Sequence, residues 1–411
     1  MVTDPYQAIH RFVNGSRDLQ TEFLAEIVKV PSDNPPGDCA AHAERTAVLL
    51  ENLGLEVERH RVSDGEVSAN GMTSATNLIV RRVFSDGPVV ALNAHGDVVP
   101  PGGGWTHDPY GANIVDGAMY GRGVAVSKSD FATYAFALMA LQNCGADLRG
   151  SVELHFTYDE EVGGALGPKW LLERGLSEPD IAVSAGFSYG VVTAHNGCLH
   201  LEVAVRGRQA HAAMPGVGVD ALEAMSEVLN ALYDHRRTLG SKSSAIDGIG
   251  SPTLVAGLIN GGINTNVVPD LVTLRIDRRI IPEESPEAVE GALTELIRSA
   301  AFRTPGASVE VRRIMLAEPL IPRPGVERLV ELFCKHATGV FGQPVKSHGV
   351  PLYTDARHYS AAGIPTVLYG AGPRTILEAN AHGADEHLWL DDLTRATEVV
   401  ARTLVDLLIP S

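Results

Sequence analysis

A histidine and an aspartate stand close together in the segment NAHGDVVPPGGGWTHDP. His95 ends an apolar run, and Asp97 follows two residues later. An aspartate beside a histidine can fix the tautomer of the ring and direct its other nitrogen towards a metal ion or a substrate. Considered alone, the pair is better explained by a structural histidine whose hydrogen bonds are satisfied.

Three consecutive acids occur in the segment TYDEEVGG, residues 157–164, at Asp159, Glu160 and Glu161. Their mutual repulsion is costly at the end of an apolar strand unless a cation or a proton relieves it. One carboxylate could then ligate a metal while its neighbour acts as a general base. A solvated acidic turn is the alternative, which the apolar strand before the acids and the Gly-Gly after them disfavour.

Two further segments carry polar residues in a setting typical of functional sites. ANAHGADEHLWLDDL contains His382 and Glu386, and in isolation it would be interpreted as a polar surface loop. GRGVAVSKSD, residues 121–130, is a glycine-flanked turn that leads into an apolar helical run. Such turns often present a catalytic or metal-binding carboxylate. Here the central positions are Val126 and Ser127 instead.

The composition excludes several classes of function. The chain has 411 residues and a formal charge of −17, which disfavours nucleic acids and anionic membranes as partners. No apolar run reaches membrane-spanning length, and the N-terminus has no signal-peptide pattern. The four cysteines are scattered without zinc spacing. We therefore expect a cytoplasmic protein with reduced thiols.

Alternating strand and helix patterns predict an α/β catalytic domain, with a mixed sheet flanked by helices, over residues 1–197 and 318–411. In such sheets, sites gather at the carboxyl ends of strands, which is where His95 and residues 159–161 lie. Between these segments, residues 198–317 follow the order β-α-β-β-α-β, which predicts an inserted ferredoxin-like domain.

Taken together and in order, the motifs AHGDVVPPGGGWTHDP, GRG, DEEVGG, GRQAHAAMP, NVVP, DRR, TDAR and AH..DE resemble those of the M20 metallohydrolases. This family includes carboxypeptidases, aminoacylases and deacylases. The resemblance covers roughly residues 18–405. It implies a catalytic domain with a dimerising ferredoxin-like lid, in agreement with the element order, and hence a homo-oligomer built from dimers.

The resemblance also implies roles for the residues of the catalytic domain. His95 matches a metal ligand and Asp97 the aspartate that orients it. Glu160 matches the general base, and Glu161 and His382 match two further metal ligands.

Other positions match groups that contact the substrate. His211 of the lid matches a residue that reaches the partner subunit's site and stabilises a developing oxyanion. Asn266 and Arg279 match groups that hold the substrate, and Arg279 typically binds its carboxylate. Arg357 is a further candidate for anion binding.

Two departures from the family pattern change the expected metal content. Val126 occupies the position of the aspartate that bridges two metal ions, and Phe187 occupies that of another acidic ligand. Without the bridge, two divalent cations a few ångströms apart would repel strongly. We therefore expect a single, weakly held ion of Mn, Zn, Co or Ni. Asp130, four residues after Val126, or Ser127 could replace the missing metal ligand. Either could instead be an ordinary helix-start residue, which is the preferred interpretation for Ser127.

The resemblance therefore implies a hydrolase that cleaves a C–N bond of a small carboxylate-bearing substrate. Phe187 could form an aromatic wall for a flat ring or simply fill space. The specific hypothesis is hydrolytic deamination of an aromatic amine, as in the 5-nitroanthranilate aminohydrolase type of M20-like enzyme. The alternatives are amide hydrolysis, by an N-acyl amino acid deacylase or a carboxypeptidase, and a metal-poor binding protein descended from an enzyme.

Overall fold

The computed structural model describes residues 4–410, which form two compact units. The first holds the residues up to Thr193, Pro322–His348 and the residues from Thr354 onwards. The second holds Ala194–Ile321 and Gly349–Tyr353. The unit junctions after residues 193 and 321 each differ by four residues from the domain boundaries that we predicted after residues 197 and 317. No sequence pattern marked the short segment Gly349–Tyr353.

Eleven α-helices occur in the described part of the chain, and all but two belong to the first unit. They are α1 (Pro5–Gly15), α2 (Arg17–Val28), α3 (Ala40–Asn52), α4 (Asp64–Ala69), α5 (Lys128–Gln142), α6 (Pro168–Glu173), α7 (Ala221–Leu239), α8 (Pro286–Ala301), α9 (Val326–Phe341), α10 (Ala356–Ala361) and α11 (Leu390–Leu408). The two helices of the second unit are α7 and α8. Among the described residues, no helix is both long enough and apolar enough to cross a membrane.

In the described part of the chain, fifteen β-strands form three sheets. They are β1 (Glu58–Arg61), β2 (Thr76–Ser85), β3 (Val89–His95), β4 (Asn113–Val115), β5 (Ala118–Tyr120), β6 (Gly150–Thr157), β7 (Ile181–Ser184), β8 (Val191–His195), β9 (Gly197–Arg206), β10 (Thr253–Gly261), β11 (Leu271–Ile280), β12 (Ser308–Ala317), β13 (Ser347–Val350), β14 (Thr366–Leu368) and β15 (His387–Trp389). The largest sheet has the order β1-β2-β6-β3-β7-β14-β8-β13, and a small one has the order β15-β5-β4.

The centre of the large sheet explains why polar residues meet at one edge. β6, β3, β7 and β14 are parallel, whereas β2 and β8 pair antiparallel with their neighbours, so the sheet is mixed. β3 is buried along almost its whole length, as its continuous apolar run predicted. His95 pairs in register with Thr157 at the ends of β3 and β6. The segments that follow both strands therefore begin side by side.

Helix α5 is the central buried helix of the first unit. It packs against α11, α2 and strands β3 and β6, and nearly all of its residues are buried. A helix that is apolar on every side is expected in such a position. It begins at Lys128, directly after the turn at residues 121–127, so the turn is anchored to the core.

The second unit has the ferredoxin-like order that the sequence predicted. Its elements follow one another as β9, α7, β10, β11, α8 and β12, and its sheet has the order β10-β11-β9-β12. Alternate residues of β9, Leu199, Leu201, Val203 and Val205, pack into a core with α7 and α8. The intervening residues of β9 lie on the opposite face of the sheet. The predicted α/β fold class with an inserted ferredoxin-like domain is confirmed.

Candidate metal and catalytic centre

Asp97 organises the carboxyl edge of the large sheet. Its side chain is fully buried, and Oδ1 lies 3.4 Å from His95 Nδ1, which also lies 3.0 Å from the Asp97 carbonyl oxygen. Asn34 Nδ2 donates to Asp97 Oδ2 at 2.9 Å. These contacts leave His95 Nε2 as the nitrogen directed away from Asp97. Asn34 was not identified from the sequence, because it lies 63 residues before its partner.

The same carboxylate fixes the acidic turn. The backbone N–H of Glu160 donates to Asp97 Oδ1 and that of Glu161 donates to Oδ2, both at 3.2 Å. Asp159, before them, has a positive φ of 108°, an unfavourable conformation for a residue with a side chain. Its Oδ2 accepts the N–H of Leu166 at 2.6 Å, which holds this turn in place. The two glutamates are thus positioned by backbone contacts, and their side chains remain available.

The turn brings Glu160 and Glu161 to His95. Potential ligand atoms of these three residues all lie within 4.8 Å of one another, and His95 Nε2 is 3.8 Å from Glu160 Oε2. Burial, reinforced by the charges of Glu161 and Asp355, raises the pKa of Glu160, against the opposing effect of His95. For His95, burial favours the neutral ring, but Glu160 and Asp97 outweigh it and raise its pKa well above the usual value. The cluster therefore carries excess negative charge that a cation would relieve.

His382 approaches this cluster from the loop before β15. Its Nε2 lies 3.2 Å from Glu161 Oε1, and its side chain is half exposed. The Glu161 carboxylate raises the pKa of His382. His382 has a positive φ of 62°, so the loop directs this ring by an uncommon backbone conformation. The structure thus brings His95, Glu160, Glu161 and His382 together, as the sequence motifs indicated.

A buried ion pair joins the His382 loop to the turn at residues 121–127. Arg122 donates to Glu386 Oε2 at 2.6 Å, and both side chains are buried. Arg122 also donates to the carbonyl of Gly383 at 3.1 Å, one residue from His382. Glu386 Oε1 accepts the N–H groups of Ala125 and Val126 at 3.0 and 3.2 Å. Glu386 therefore stabilises the turn and connects it to the loop that carries His382.

Asp130 and Ser127, the two candidates to replace the metal ligand missing at Val126, both make hydrogen bonds to the backbone. The Asp130 carboxylate accepts the N–H groups of Gly186 and Ala371 at 3.1 and 2.6 Å. A Cβ at Gly370 would lie 2.1 Å from Asp130 Oδ1, so glycine is required there. Ser127 Oγ lies 3.0 Å from both the backbone nitrogen and the carbonyl oxygen of His95. Both residues thus have structural partners.

Phe187 lies half-buried after β7, and it forms an isolated β-bridge with Gly372. The preceding residue, Gly186, donates its N–H to Asp130, which connects this segment to the start of α5. A phenyl ring offers no metal ligand. The segment is therefore held by its backbone, and the ring supplies only apolar surface.

Arg357 and Asp355 lie behind the acidic turn. Arg357 is buried, and its guanidinium donates to the carbonyl oxygens of Gly163 and, at 2.8 Å, of Thr354. The Asp355 carboxylate is buried as well, and a Cβ at Gly164 would lie 2.2 Å from its Oδ1. Burial raises the pKa of Asp355. Arg357 was predicted from the TDAR motif, whereas the acid two residues before it was not.

The other predicted substrate-binding residues belong to the second unit. His211 and Asn266 are both exposed. They lie close together, because His211 forms an isolated β-bridge with Val267 and the N–H of Ala212 donates to the Asn266 carbonyl at 3.0 Å. Arg279 lies on β11, where Nε donates to Asp277 Oδ1 at 3.1 Å. Its neighbour Arg278 is buried and pairs with Glu284. Of the two arginines, Arg279 is the more accessible, with 31% of its side chain exposed against 2% for Arg278.

Comparison with known proteins agrees with this architecture. The sequence model of Peptidase family M20/M25/M40 matches residues 91–406. This chain belongs to that family. This M20 chain is 27% identical over 391 residues to a succinyl-diaminopimelate desuccinylase of Gluconacetobacter diazotrophicus, covering 92% of the chain and 94% of the relative. It is 29% identical over 360 residues to an acetylornithine deacetylase of Myxococcus xanthus, covering 86% and 89%.

A solved structure of the family shares the fold. The Bacillus subtilis protein YXEP, a dinuclear metal-binding peptidase of family M20, superposes with a TM-score of 0.65 at 18% identity, covering 98% of this M20 chain and 99% of YXEP. The potential metal-ligand side chains of the M20 chain fit a divalent cation. His95, Glu160 and Glu161 converge, and the buried Glu161 Oε1 lies 3.2 Å from the His382 ring, a fourth ligand candidate. Imidazole and carboxylate ligands suit several divalent transition metals.

Proposed function

We propose that this M20 chain is a metal-dependent hydrolase of a C–N bond in a small, carboxylate-bearing substrate. The observation that carries the proposal is the convergence of His95, Glu160 and Glu161 to within 4.8 Å, with His382 3.2 Å from Glu161. His95, Glu161 and His382 would hold one divalent ion. When bound, that ion supplies Lewis acidity, which makes water acidic enough to ionise near neutral pH.

Glu160 is the residue proposed to move the proton. It is buried, its backbone is fixed by Asp97, and its raised pKa suits a group that must both accept and release a proton near neutral pH. In amide hydrolysis, Glu160 takes a proton from water as the C–O bond forms. It then delivers that proton to the departing nitrogen as the C–N bond breaks. Asp97 keeps the His95 ring in one orientation throughout.

Residues of the second unit are proposed to bind the substrate. Arg279 pairs with Asp277 through Nε, so its terminal nitrogens can bind a carboxylate. His211 is proposed to stabilise the developing oxyanion in the site of a partner subunit, and Asn266, its neighbour, to hold the substrate. Arg357 is buried against backbone carbonyls. For that residue we now propose a role in supporting the Gly163–Gly164 turn beneath Glu160, in place of anion binding.

The relatives favour an amide as the substrate, since the two curated relatives are a desuccinylase and a deacetylase. We therefore propose N-acyl amino acids as the first substrate class. Phe187 favours a second candidate, because its half-buried ring replaces an acidic residue of the family pattern with a surface suited to a flat ring. That candidate is hydrolytic deamination of a nitro-aminobenzoate such as 5-nitroanthranilate, in which hydroxide adds to the ring carbon and ammonia leaves.

The test compares the wild type with Glu160→Gln, each loaded in turn with Mn, Zn, Co or Ni. Substrates are N-acetyl and N-succinyl amino acids and 5-nitroanthranilate, with amine or ammonia release as the readout. We expect Glu160→Gln to lower kcat by a factor of about 10²–10⁴ while metal binding persists. Full turnover by this variant would refute the general-base assignment. A wild type that binds no divalent ion, even with these substrates present, would refute the hydrolase.

A further inference from the structure

Three potential metal-ligand side chains lie together in the second unit, and the proposed function uses only the contact of one of them, Asp277, with Arg279. Cys198 and His200 are two apart on β9, and Asp277 lies directly opposite His200 on β11. Residues two apart on a strand, and residues paired across an antiparallel ladder, project from the same face of the sheet. Since Leu199 and Leu201 fill the core, these three side chains project from the face opposite that core.

The donor atoms of this triad are already spaced as ligands of one ion. His200 Nε2 is 2.9 Å from Asp277 Oδ2, Cys198 Sγ is 3.5 Å from the same oxygen, and all three atoms lie within 4.8 Å of one another. With zinc bonds of about 2.0 Å to N or O and about 2.3 Å to S, tetrahedral ligands lie roughly 3.3–3.6 Å apart. Small side-chain rotations would therefore accommodate an ion.

The residues around the triad leave one oxygen of Asp277 available to an ion and leave one side of the triad open to solvent. Asp277 uses Oδ1 to accept from Arg279, so Oδ2 is the oxygen that faces Cys198 and His200. Cys198 is buried, whereas the side chains of His200 and Asp277 are 36% and 28% exposed. An ion could enter from the side of these two residues and keep a water as its fourth ligand. A thiolate together with an imidazole favours zinc over magnesium or calcium.

We propose that Cys198, His200 and Asp277 form a second metal site, for a single thiophilic divalent ion such as Zn²⁺. Binding replaces the thiol proton of Cys198, which is released to solvent, and uses the neutral His200 ring and the Asp277 carboxylate. The site can be tested separately from the proposed reaction, because its ligands differ from those of the first centre and its occupancy is measured without a substrate.

The experiment uses full-length protein that has been stripped of metal and then titrated with Co²⁺ and, separately, with Zn²⁺. To remove the first site, the titration is repeated on a Glu161→Gln/His382→Ala variant. We expect this variant to bind one equivalent of metal. With Co²⁺ it should show the near-ultraviolet charge-transfer band of a cobalt–thiolate bond, and with Zn²⁺ it should release a proton.

Cys198→Ser in the same background should abolish the thiolate band. Cys334→Ser is the matched control, because Cys334 is a cysteine of the first unit, and it should leave the band intact. If Cys198→Ser does not fold, as judged by circular dichroism, then His200→Gln provides the same test and should weaken Co²⁺ binding. The proposal is wrong if the Glu161→Gln/His382→Ala protein shows no thiolate band, or if the band survives both Cys198→Ser and His200→Gln.

Discussion

Among single residues, Val126 is the one that we expect to limit the number of metal ions at the centre. It lies in the turn held by Glu386, and the next residue, Ser127, is hydrogen-bonded to the backbone of His95. The two candidates for a replacement donor, Asp130 and Ser127, are bonded to the backbone. A second ion would therefore lack a bridging anion, and repulsion between two divalent charges a few ångströms apart would be largely uncompensated.

The substitution Val126→Asp should restore that anion. We expect the metal bound at the centre to rise from one to two equivalents per chain, because a carboxylate between two cations offsets their repulsion. Equilibrium dialysis followed by elemental analysis measures the stoichiometry, with Cys198→Ser as the background so that the proposed second site does not contribute. Val126→Asn, similar in size but uncharged, is the control and should bind one. If Val126→Asp also binds one ion, Val126 does not set the metal count.

At the scale of secondary-structure elements, the buried pair Arg122–Glu386 connects two loops that carry the centre. Glu386→Gln keeps an oxygen for the N–H groups of Ala125 and Val126 but leaves the Arg122 charge unpaired. Breaking a buried pair in this way costs about 3–5 kcal/mol. We expect a clear drop in the melting temperature and weaker metal binding, because the loop of His382 is no longer tied to the turn.

The exposed pair Arg61–Asp64 provides the comparison, since its side chains are 76% and 84% exposed and lie 2.8 Å apart. Exposed pairs contribute about 0–1 kcal/mol, so Asp64→Asn should change the melting temperature little. Differential scanning calorimetry measures the melting temperatures of both variants for this comparison. Equal effects from the two substitutions would mean that Arg122–Glu386 does not stabilise the loops.

Strand β6 carries a glutamate, Glu153, that makes a pH-dependent contribution to stability. Glu153 on β6 is contacted by His155 Nε2 at 3.1 Å, Ser177 Oγ at 2.5 Å and Arg81. Burial alone would raise its pKa, but these partners outweigh burial and lower the pKa from 4.5 to about 2. For a carboxylate whose pKa is lowered on folding, the stabilisation is present above the unfolded pKa and disappears as the pH falls through the folded one.

Glu153→Gln should therefore lose stability relative to the wild type at pH 6. That difference should shrink as the pH falls from about 4.5 to about 2, by about 3 kcal/mol in all. Melting temperatures measured across this range supply the comparison. Glu44→Gln, whose parent side chain is 60% exposed, is the control and should change the melting temperature little at pH 6. A difference for Glu153→Gln that is independent of pH would contradict the assignment.

The secondary-structure elements were predictable from the sequence, whereas several contacts between them were not. β3, α5 and the β-α-β-β-α-β order were predictable, because local periodicity records which faces are buried. The convergence of His95, Glu160, Glu161 and His382 followed from ordered motifs. The partners of Asp130 did not, because Ala371 lies 241 residues away and contributes only a backbone N–H, which leaves no trace in residue type. Asn34 and Asp355 escaped notice for similar reasons, since their roles depend on tertiary contacts.

At the scale of the whole molecule, the family resemblance implies a dimer formed through the second unit, and the surface of that unit offers a suitable edge. β10 is the edge strand of the four-stranded sheet, and it exposes Val255, Leu258 and Ile259 by 50%, 63% and 53%. An apolar edge strand with unpaired backbone groups favours pairing with another chain. We therefore expect two copies of β10 to lie at the dimer interface.

Leu258→Lys should weaken that dimer, because it places a charge on the edge that must become buried. Sedimentation velocity at micromolar concentration should show a shift from dimer to monomer. Val83→Lys is the control, since Val83 is 67% exposed on β2 of the first unit, and it should remain dimeric. If His211 acts in the site of a partner subunit, the Leu258→Lys monomer should also lose turnover while still binding metal at His95, Glu161 and His382. A fully active monomer would show instead that each chain has a complete site, and a Leu258→Lys dimer would place the interface away from β10.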